Sequence, residues 1–180
     1  IRCLERTFVP LLKWIRHLNS RHDGNYIITR EEQGWCLGDW LSPRQIYIDA
    51  DYVNTCSLLL CCNIYLEYCD ILGDFTNSQE IIELRNNVIK AINRDYYNSQ
   101  TFEYDENKNG ANMFAIVYGA VNEENKQKVI DKTIEFYRLN PEVNTGIVGT
   151  RLLFDFLSNN GAKDVALKIL TNKKYPSYGY

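Results

Sequence analysis

Apolar residues recur at helical spacing from the first positions of the chain. Six of them follow one another mainly at steps of three and four and so share one helix face: Leu4, Phe8, Leu11, Leu12, Ile15 and Leu18. Pro10 lies inside this segment. Because proline cannot donate the intrahelical hydrogen bond, we expect the helix to start near it or to be kinked there. The turn-forming residues Asp23–Asn25 end the segment.

The same periodicity predicts six more helices. Their approximate bounds are 54–72, 77–96, 111–118, 122–139, 150–159 and 163–171. Asn54 or Thr55 is the predicted cap of the second helix, and Gly73 ends it. Asn77 and Glu80 have the spacing of a capping box at the start of the third helix.

Strand signal is nearly absent from the rest of the chain. Residues 98–109 are polar and turn-rich, which predicts a loop with a short hairpin near 101–104. Seven helices with several short connections favour antiparallel neighbours, so the predicted fold is an all-α array of helical hairpins. The chain begins inside an apolar-periodic helix and stops in the aromatic segment Tyr175–Tyr180. Neither end is typical of a domain edge, so we expect a segment of a larger domain.

Composition narrows the classes of function. The chain has 180 residues, of which 45% are hydrophobic and 24% are charged, with a formal net charge of −3. Nucleic-acid-binding domains are usually basic, so the acidic balance and scattered Lys and Arg argue against a nucleic-acid partner. No uninterrupted apolar run reaches the roughly 20 residues that span a bilayer, so no membrane partner is expected.

Cysteine usage gives no metal or redox signature. Six cysteines include no C-x-x-C pair, and the two histidines, His17 and His22, lie far from most of them. Cys62 and Cys69 fall on the apolar face of a predicted helix, where a free cysteine packs as a small hydrophobe. We therefore expect reduced, structural cysteines, no metal site and no cofactor.

One segment combines residues suited to sugar binding. The stretch Gly34–Trp40 places Trp35, Trp40 and the carboxylate of Asp39 between glycines. A pyranose presents an apolar C–H face and a ring of hydroxyls, so an indole beside a carboxylate contacts both. In the alternative interpretation, both tryptophans fill the core between hairpins and Asp39 caps the next element.

Other patterns of catalytic residues are weak. Carboxylates occur in three groups that are more typical of a solvated surface than of a catalytic pair: Glu31–Glu32; Asp49 and Asp51; and Glu103, Asp105 and Glu106. There is no G-x-S-x-G nucleophile motif. The glycines of Thr145–Thr150 lack the lysine of a phosphate-binding loop, so this stretch is predicted to be a tight loop before a helix near Thr150.

Five segments, in this order, resemble the α-L-rhamnosidases of glycoside hydrolase family 78. They are Gly34–Trp40, Tyr52–Thr55, Ala111–Ala115, Thr145–Thr150, and Leu157–Gly161 together with Tyr175–Tyr180. The resemblance covers nearly the whole chain. It implies that residues 1–180 form about half of an (α/α)6 barrel, incomplete at both ends. It also implies removal of terminal α-L-rhamnose from glycosides or polysaccharides by inversion.

The resemblance assigns few residues of this chain. Asp39 and Trp40 match the Gly-Asp-Trp element that lines the sugar pocket, which implies hydroxyl binding and ring contact, and Trp35 is a weaker candidate. In this family the catalytic acid precedes the part matching this chain, and the base lies in a Thr-x-Trp-Glu-like segment after it. No catalytic residue is therefore assigned, and the isolated chain is expected to be inactive. Departures from the pattern at Asp49, Asp51 and Tyr178 bear on substrate preference more than on fold.

Two further hypotheses remain open. The chain is alternatively a non-catalytic helical module that binds carbohydrate or protein, or part of another (α/α)6 glycosidase. The expected partner is an L-rhamnose-containing carbohydrate. Half a barrel also leaves hairpin faces uncovered, which favours self-association.

Overall fold

The computed structural model describes residues 2–29 and 37–180. Within them it has seven α-helices and one two-stranded antiparallel sheet, in which Tyr97 pairs with Tyr104 and Asn98 with Glu103. The elements are α1 (Arg2–Asn19), α2 (Ala50–Leu72), α3 (Ser78–Tyr96), β1 (Tyr97–Asn98), β2 (Glu103–Tyr104), α4 (Ala111–Tyr118), α5 (Glu123–Leu139), α6 (Ile147–Asn159) and α7 (Lys163–Thr171). The predicted all-α fold and the short hairpin are confirmed.

The helices form two layers. In one layer α4 packs between α2 and α6. The other helices cover this layer, with α1 and α3 against α2, α5 against α4, and α7 against α6 and α5. The chain is thus a row of helical hairpins, as predicted from the short connections.

The core is divided into two apolar clusters that meet at α4. Residues Ala111–Ala115 are all buried, so this short helix is enclosed nearly all round. Phe114 packs in the cluster among α1–α4, and Met113 packs in the cluster among α5–α7. Because one helix contributes to both clusters, the hairpins share a continuous interior.

Two helix starts and one predicted cap differ from the sequence predictions. Helix α2 begins at Ala50 rather than near Asn54, because the carboxylate of Asp49 accepts the Asp51 N–H at 2.8 Å. Helix α6 begins at Ile147 rather than near Thr150. The capping box of α3 is not formed, because Glu80 pairs with Arg16 of α1 instead.

Helix α2 also changes the expectation about apolar length. Its 23 residues are long and apolar enough, by length and composition alone, to cross a membrane. The search for an uninterrupted apolar run did not single out this helix, because Asp51, Glu67 and Asp70 interrupt its apolar residues. Nine of its side chains are buried in this fold, and α1, α3 and α4 pack against it, as in the core helix of a globular domain.

The described cysteines are free thiols, as predicted. Cys56, Cys62 and Cys69 are buried on α2. Burial raises the pKa of the Cys62 thiol to about 12, so this side chain is a neutral hydrophobe at ordinary pH. Cys36 lies outside the described residues.

Candidate functional site

The long connections meet at the end of the array where α2, α4 and α6 begin. We call this region the loop end; it comprises residues 37–49, 97–110, 140–146 and 172–180. Asn109 joins three of these segments. Its Oδ1 accepts the N–H groups of Tyr47 and Ile48 at 2.7 and 3.1 Å, and its Nδ2 donates to the Asn144 carbonyl at 2.5 Å.

A carboxylate adds a second tie between the first two segments. Oδ2 of Asp105 accepts the N–H of Asp49 at 2.8 Å, and Oδ1 lies 3.3 Å from Lys108 Nζ. Burial raises the pKa of the Asp105 carboxyl, and its bonds to Asp49 and Lys108 oppose this rise. The acidic group at 103–106 is thus partly structural rather than only a solvated surface.

The tail of the chain joins the same end. The Pro176 carbonyl accepts the Val143 N–H at 3.0 Å, and Asn172 Nδ2 donates to the Pro141 carbonyl at 2.8 Å. The Tyr175 hydroxyl donates to the Pro43 carbonyl. The tail therefore closes one side of the loop end.

Asp39 ties the loop end to the start of α6. Its carboxylate is fully buried and accepts three backbone N–H groups at the first turn of α6. Gly146 donates to Oδ2 at 2.7 Å, and Val148 and Gly149 donate to Oδ1 at 2.8 and 2.9 Å. These are groups that a helix leaves unpaired at its N-terminus. Asp39 thus caps a helix that lies more than one hundred residues further along the chain.

The glycines of Thr145–Thr150 make this contact sterically feasible. A Cβ at Gly146 would lie 2.2 Å from the Asp39 carbonyl oxygen, and a Cβ at Gly149 would lie 2.5 Å from Asp39 Oδ2. Gly38, with φ +56°, packs against Ala50 in the same way. The two glycine-containing motifs seen in the sequence are therefore the two sides of one contact.

Opposing effects act on the pKa of the buried Asp39 carboxyl. Burial raises the pKa of the Asp39 carboxyl above its ordinary value, while the three backbone N–H bonds act in the opposite direction. The positive end of the α6 dipole also favours the charged form. The group contributes to structure through its hydrogen bonds, and it exposes no surface to solvent.

Beside this contact lies an open groove of about 670 Å³. Its walls come from the loop after Trp40, the first turns of α6 and the tail. The described lining residues are Leu41, Pro43, Val143, Gly146, Ile147, Thr150, Arg151, Phe154, Tyr175, Pro176, Ser177, Tyr178 and Tyr180. Phe154 meets Tyr178 edge to face at 5.8 Å, and Tyr175 meets Tyr180 at 5.5 Å. The groove therefore presents aromatic surface with hydroxyls at its margins.

The three sequence-predicted site residues have different outcomes. Trp40 is 42% exposed, and its carbonyl accepts the Ile147 N–H at 2.9 Å. Its neighbour Leu41 lines the groove, whereas Trp40 is not among the described lining residues. Asp39 is buried behind the groove as a helix cap, and its direct binding of a hydroxyl stays a prediction. Trp35 lies outside the described residues.

Several groove residues were not singled out from the sequence. Arg151 is the only charged side chain among the described lining residues, and no described carboxylate lines the groove. Arg151 and Phe154 are three residues apart on α6, a spacing that places both on one helix face, but a helix face alone does not reveal what it borders. The aromatic tail was visible as a motif, whereas its partner Phe154 was not.

Metal and phosphate chemistry find no support in the described part of the chain. No group of three or more His, Cys, Asp or Glu side chains is arranged there to hold a metal ion. Thr145–Thr150 was predicted to be a tight loop before a helix, but α6 already begins at Ile147, and the hydroxyls of Thr145 and Thr150 lie 2.9 Å apart across its first turn. Glu31 and Glu32 lie outside the described residues.

The comparisons with known proteins agree with one another. The family model described as the bacterial alpha-L-rhamnosidase 6 hairpin glycosidase domain matches residues 1–180. An alpha-L-rhamnosidase of Formosa agariphila is 21% identical over 98% of this chain and 19% of its own length. The chain therefore spans about a fifth of the length of this relative.

Solved structures show the same fold. The alpha-L-rhamnosidase of Streptomyces avermitilis, complexed with L-rhamnose, superposes with a TM-score of 0.85 at 21% identity, over 99% of this chain and 17% of that one. The alpha-L-rhamnosidase of Aspergillus terreus gives 0.84 at 17% identity, over 97% and 21%. The predicted architecture, helical hairpins forming about half of an (α/α)6 barrel, is confirmed.

Proposed function

Because the chain belongs to the bacterial α-L-rhamnosidase six-hairpin glycosidase domain family, we propose that it is part of the catalytic domain of a glycoside hydrolase. The proposed enzyme removes terminal α-L-rhamnose from glycosides or polysaccharides by inversion. Residues 1–180 are, in this proposal, a partial (α/α)6 domain that is completed by polypeptide on both sides. No cofactor is part of the proposal.

The groove at the loop end is the observation that carries this proposal. Its volume of about 670 Å³ is within the roughly 300–1,000 Å³ of small-ligand sites. Phe154, Tyr175 and Tyr178 supply flat apolar surface for the C–H face of a sugar, and Thr150 and Ser177 supply hydroxyls. The comparison protein from Streptomyces avermitilis is complexed with L-rhamnose, which supports the choice of sugar.

The binding roles follow from position. We assign ring contact to Trp40, whose side chain is 42% exposed and which precedes the groove residue Leu41, and we keep Trp35 as a further candidate from the same loop. We assign Asp39 to the hydroxyl-binding element of the family pattern. Its geometry supports an indirect part in binding, because it holds the first turn of α6, which forms one wall of the groove.

The chemistry of inversion requires groups that the groove lacks. An inverting enzyme uses two carboxyl groups ~6.5–9.5 Å apart, one as acid and one as base. Among the described residues, no carboxylate lines the groove. We therefore propose that the acid and base come from flanking polypeptide and that this 180-residue chain alone is inactive.

Uncovered apolar side chains on α1 support the proposal that this chain self-associates when isolated. Val9 and Trp14 of α1 are 55% and 52% exposed. In a complete barrel such faces are covered by further helices. Light scattering of the isolated chain is expected to show a mass above that of a monomer.

Hydrolysis of p-nitrophenyl α-L-rhamnoside tests the proposal. The protein that contains this chain with its flanking sequence is expected to release p-nitrophenol, and the 180-residue chain alone is not. Release by the short chain would refute the assignment of acid and base. No release by the longer protein on any rhamnoside would refute the hydrolase.

Tryptophan fluorescence, together with the hydrolysis assay, distinguishes the hydrolase from the alternative, a non-catalytic binding module. Rhamnose is expected to quench the emission, and Trp40→Phe is expected to remove that response. Trp14→Phe is the matched control, because Trp14 is comparably exposed but lies on α1, outside the groove. Binding in a longer protein that shows no hydrolysis would favour the module.

A further inference from the structure

A second depression, of about 560 Å³, adjoins the groove. It is polar where the groove is apolar, and the α5–α6 connection, the end of α7 and the tail form its walls. Tyr175 lines both concavities, so its half-exposed ring is the partition between them. The two therefore adjoin at Tyr175, and their volumes of about 670 and 560 Å³ leave room for more than one sugar ring.

The charges along this surface are mostly positive. Arg151 lines the groove, and Arg44, Lys168 and Lys174 line the depression. Glu142 is the one carboxylate among their described lining residues. The chain as a whole has 23 acidic and 20 basic residues. A local excess of cations on an acidic protein distinguishes this surface from the average one.

Most of these cations have no protein partner. Arg44 lies 3.1 Å from Glu142, which neutralises it. In residues 2–29 and 37–180, neither Arg151 nor Lys168 nor Lys174 forms an ion pair. Two lysines and one arginine thus remain available to a negatively charged ligand on either side of Tyr175.

We propose that the groove and the depression together bind an acidic saccharide. The neutral terminal sugar lies in the aromatic groove, and the adjoining sugar crosses Tyr175 and presents an anionic group, a uronate carboxylate or a sulfate ester, to Lys168 and Lys174. This inference rests on the proposed function and names the substrate class for that same site. Exposed cations favour such a group through charge without fixing its geometry, so the preference is electrostatic and sensitive to salt.

Matched substrates test this inference on the protein that contains this chain with its flanking sequence. The acidic substrate is α-L-rhamnosyl-glucuronic acid, and its carboxyl-reduced form, α-L-rhamnosyl-glucose, is the neutral reference. A sulfated rhamnosyl-glucose distinguishes sulfate from carboxylate. The measured quantity is the ratio of kcat/KM for the acidic and the neutral substrate, at low salt and at about 0.5 M NaCl, where the Debye length falls to a few ångströms.

The acidic substrate is expected to be preferred at low salt, with the preference falling at high salt. The double variant K168Q/K174Q is expected to lower the ratio about two- to tenfold, mainly through KM, as for the loss of two exposed ion pairs. The control K90Q/K163Q removes two exposed lysines that line neither concavity and is expected to leave the ratio unchanged.

A ratio near one in the unmodified protein, or equal effects of the two double variants, would overturn the inference while rhamnoside hydrolysis stands. If the longer protein cleaves no rhamnoside, the proposed function fails separately. Calorimetric titration with the same two disaccharides then decides the inference, and equal affinity for both would reject it.

Discussion

At the loop end, side chains bind backbone groups that are distant in sequence, whereas the short connections 73–77 and 160–162 are closed by backbone bonds between neighbours. Gly73 donates to Cys69, and Ala162 donates to Leu157. By contrast, Asp39 and Asn109 bind groups that lie 35 to 110 residues away. Helices α2 and α6 therefore have their C-terminal ends fixed by local bonds and their N-terminal ends fixed by contacts with distant segments.

This difference shows where the hairpin array is specialised. A local turn needs only a glycine in the left-handed region, as at Gly73 and Gly161 with φ +69° and +75°, and open space around it. The loop end instead requires several segments to meet, and the groove forms where they do. A surface built from four segments holds its shape only if the buried ties between them persist.

The largest expected effect on stability is that of replacing a glycine at the loop end, compared with replacing a glycine at a short connection. Gly146→Ala would place a methyl group 2.2 Å from the Asp39 carbonyl oxygen, which is buried backbone that has no room to move. We expect a loss of about 3 kcal/mol or more in the free energy of unfolding. Gly161→Ala, with no atom within 4 Å, is expected to cost about 1 kcal/mol, from left-handed strain alone. Urea unfolding of the purified variants gives both values, and equal losses would contradict the distinction between the two ends.

Removing the charge of the distant cap is expected to have the next largest effect. Asp39→Asn replaces one acceptor oxygen by an N–H₂ group that faces backbone donors of α6. A loss of about 2–3 kcal/mol is expected, as for hydrogen bonds to a buried charged group. Asp155→Asn, an exposed aspartate on the same helix, is the control and should change stability by no more than about 0.5 kcal/mol. Asp39→Asn should also weaken the quenching of tryptophan fluorescence by rhamnose, because the first turn of α6 forms a wall of the groove. Unchanged stability with lost quenching would instead favour direct hydroxyl binding by Asp39.

The local end of the array was predictable and the loop end was only partly so. The periodicity placed α4 and α7 at their observed bounds, because the glycines and apolar steps that define them are neighbours in sequence. The start of α6 was predicted three residues late. Its cap is Asp39, and no local pattern around Thr150 contains that information.

In the candidate site too, local motifs were predictable from the sequence, whereas the contacts between them were not. Gly34–Trp40 and Thr145–Thr150 were both recognised as unusual, but their contact depends on a pairing that neither motif specifies. The interpretation of Asp39 as a helix cap was correct in kind, although the capped helix is α6 rather than the next element. Arg151 and Phe154 were missed because their exposure to a groove is decided by the tail, not by α6 itself.

The pH dependence of the same cap sharpens the comparison further. Burial raises the folded-state pKa of Asp39 above its unfolded value, so the folded protein holds this proton more tightly. The stability contributed by that proton is therefore present below the unfolded pKa and is lost as the pH rises through the folded pKa. The difference in unfolding free energy between the unmodified protein and Asp39→Asn is expected to shrink from about pH 4 toward neutral pH. Urea titrations at a series of pH values measure it, and a difference that grows with pH would show that the three N–H bonds outweigh burial.

The smallest expected effect comes from a long-range ion pair near the short connection 73–77, that between Arg16 and Glu80. Arg16 Nη2 lies 2.5 Å from Glu80 Oε2 and also donates to Asn77, which belongs to the connection 73–77. Unlike Asp39, both side chains are about half exposed, 50% and 47%, so water and salt screen the pair.

The hydrogen bond from Arg16 lowers the pKa of Glu80. The contribution of this pair to the free energy of unfolding is therefore present above the unfolded pKa and disappears as the pH falls through the folded pKa. We expect Glu80→Gln to shift the urea midpoint only slightly at low salt and not at all at about 0.5 M NaCl, with the exposed Glu67→Gln as control. A shift as large as that of Asp39→Asn would mean that burial is not what separates the two ends.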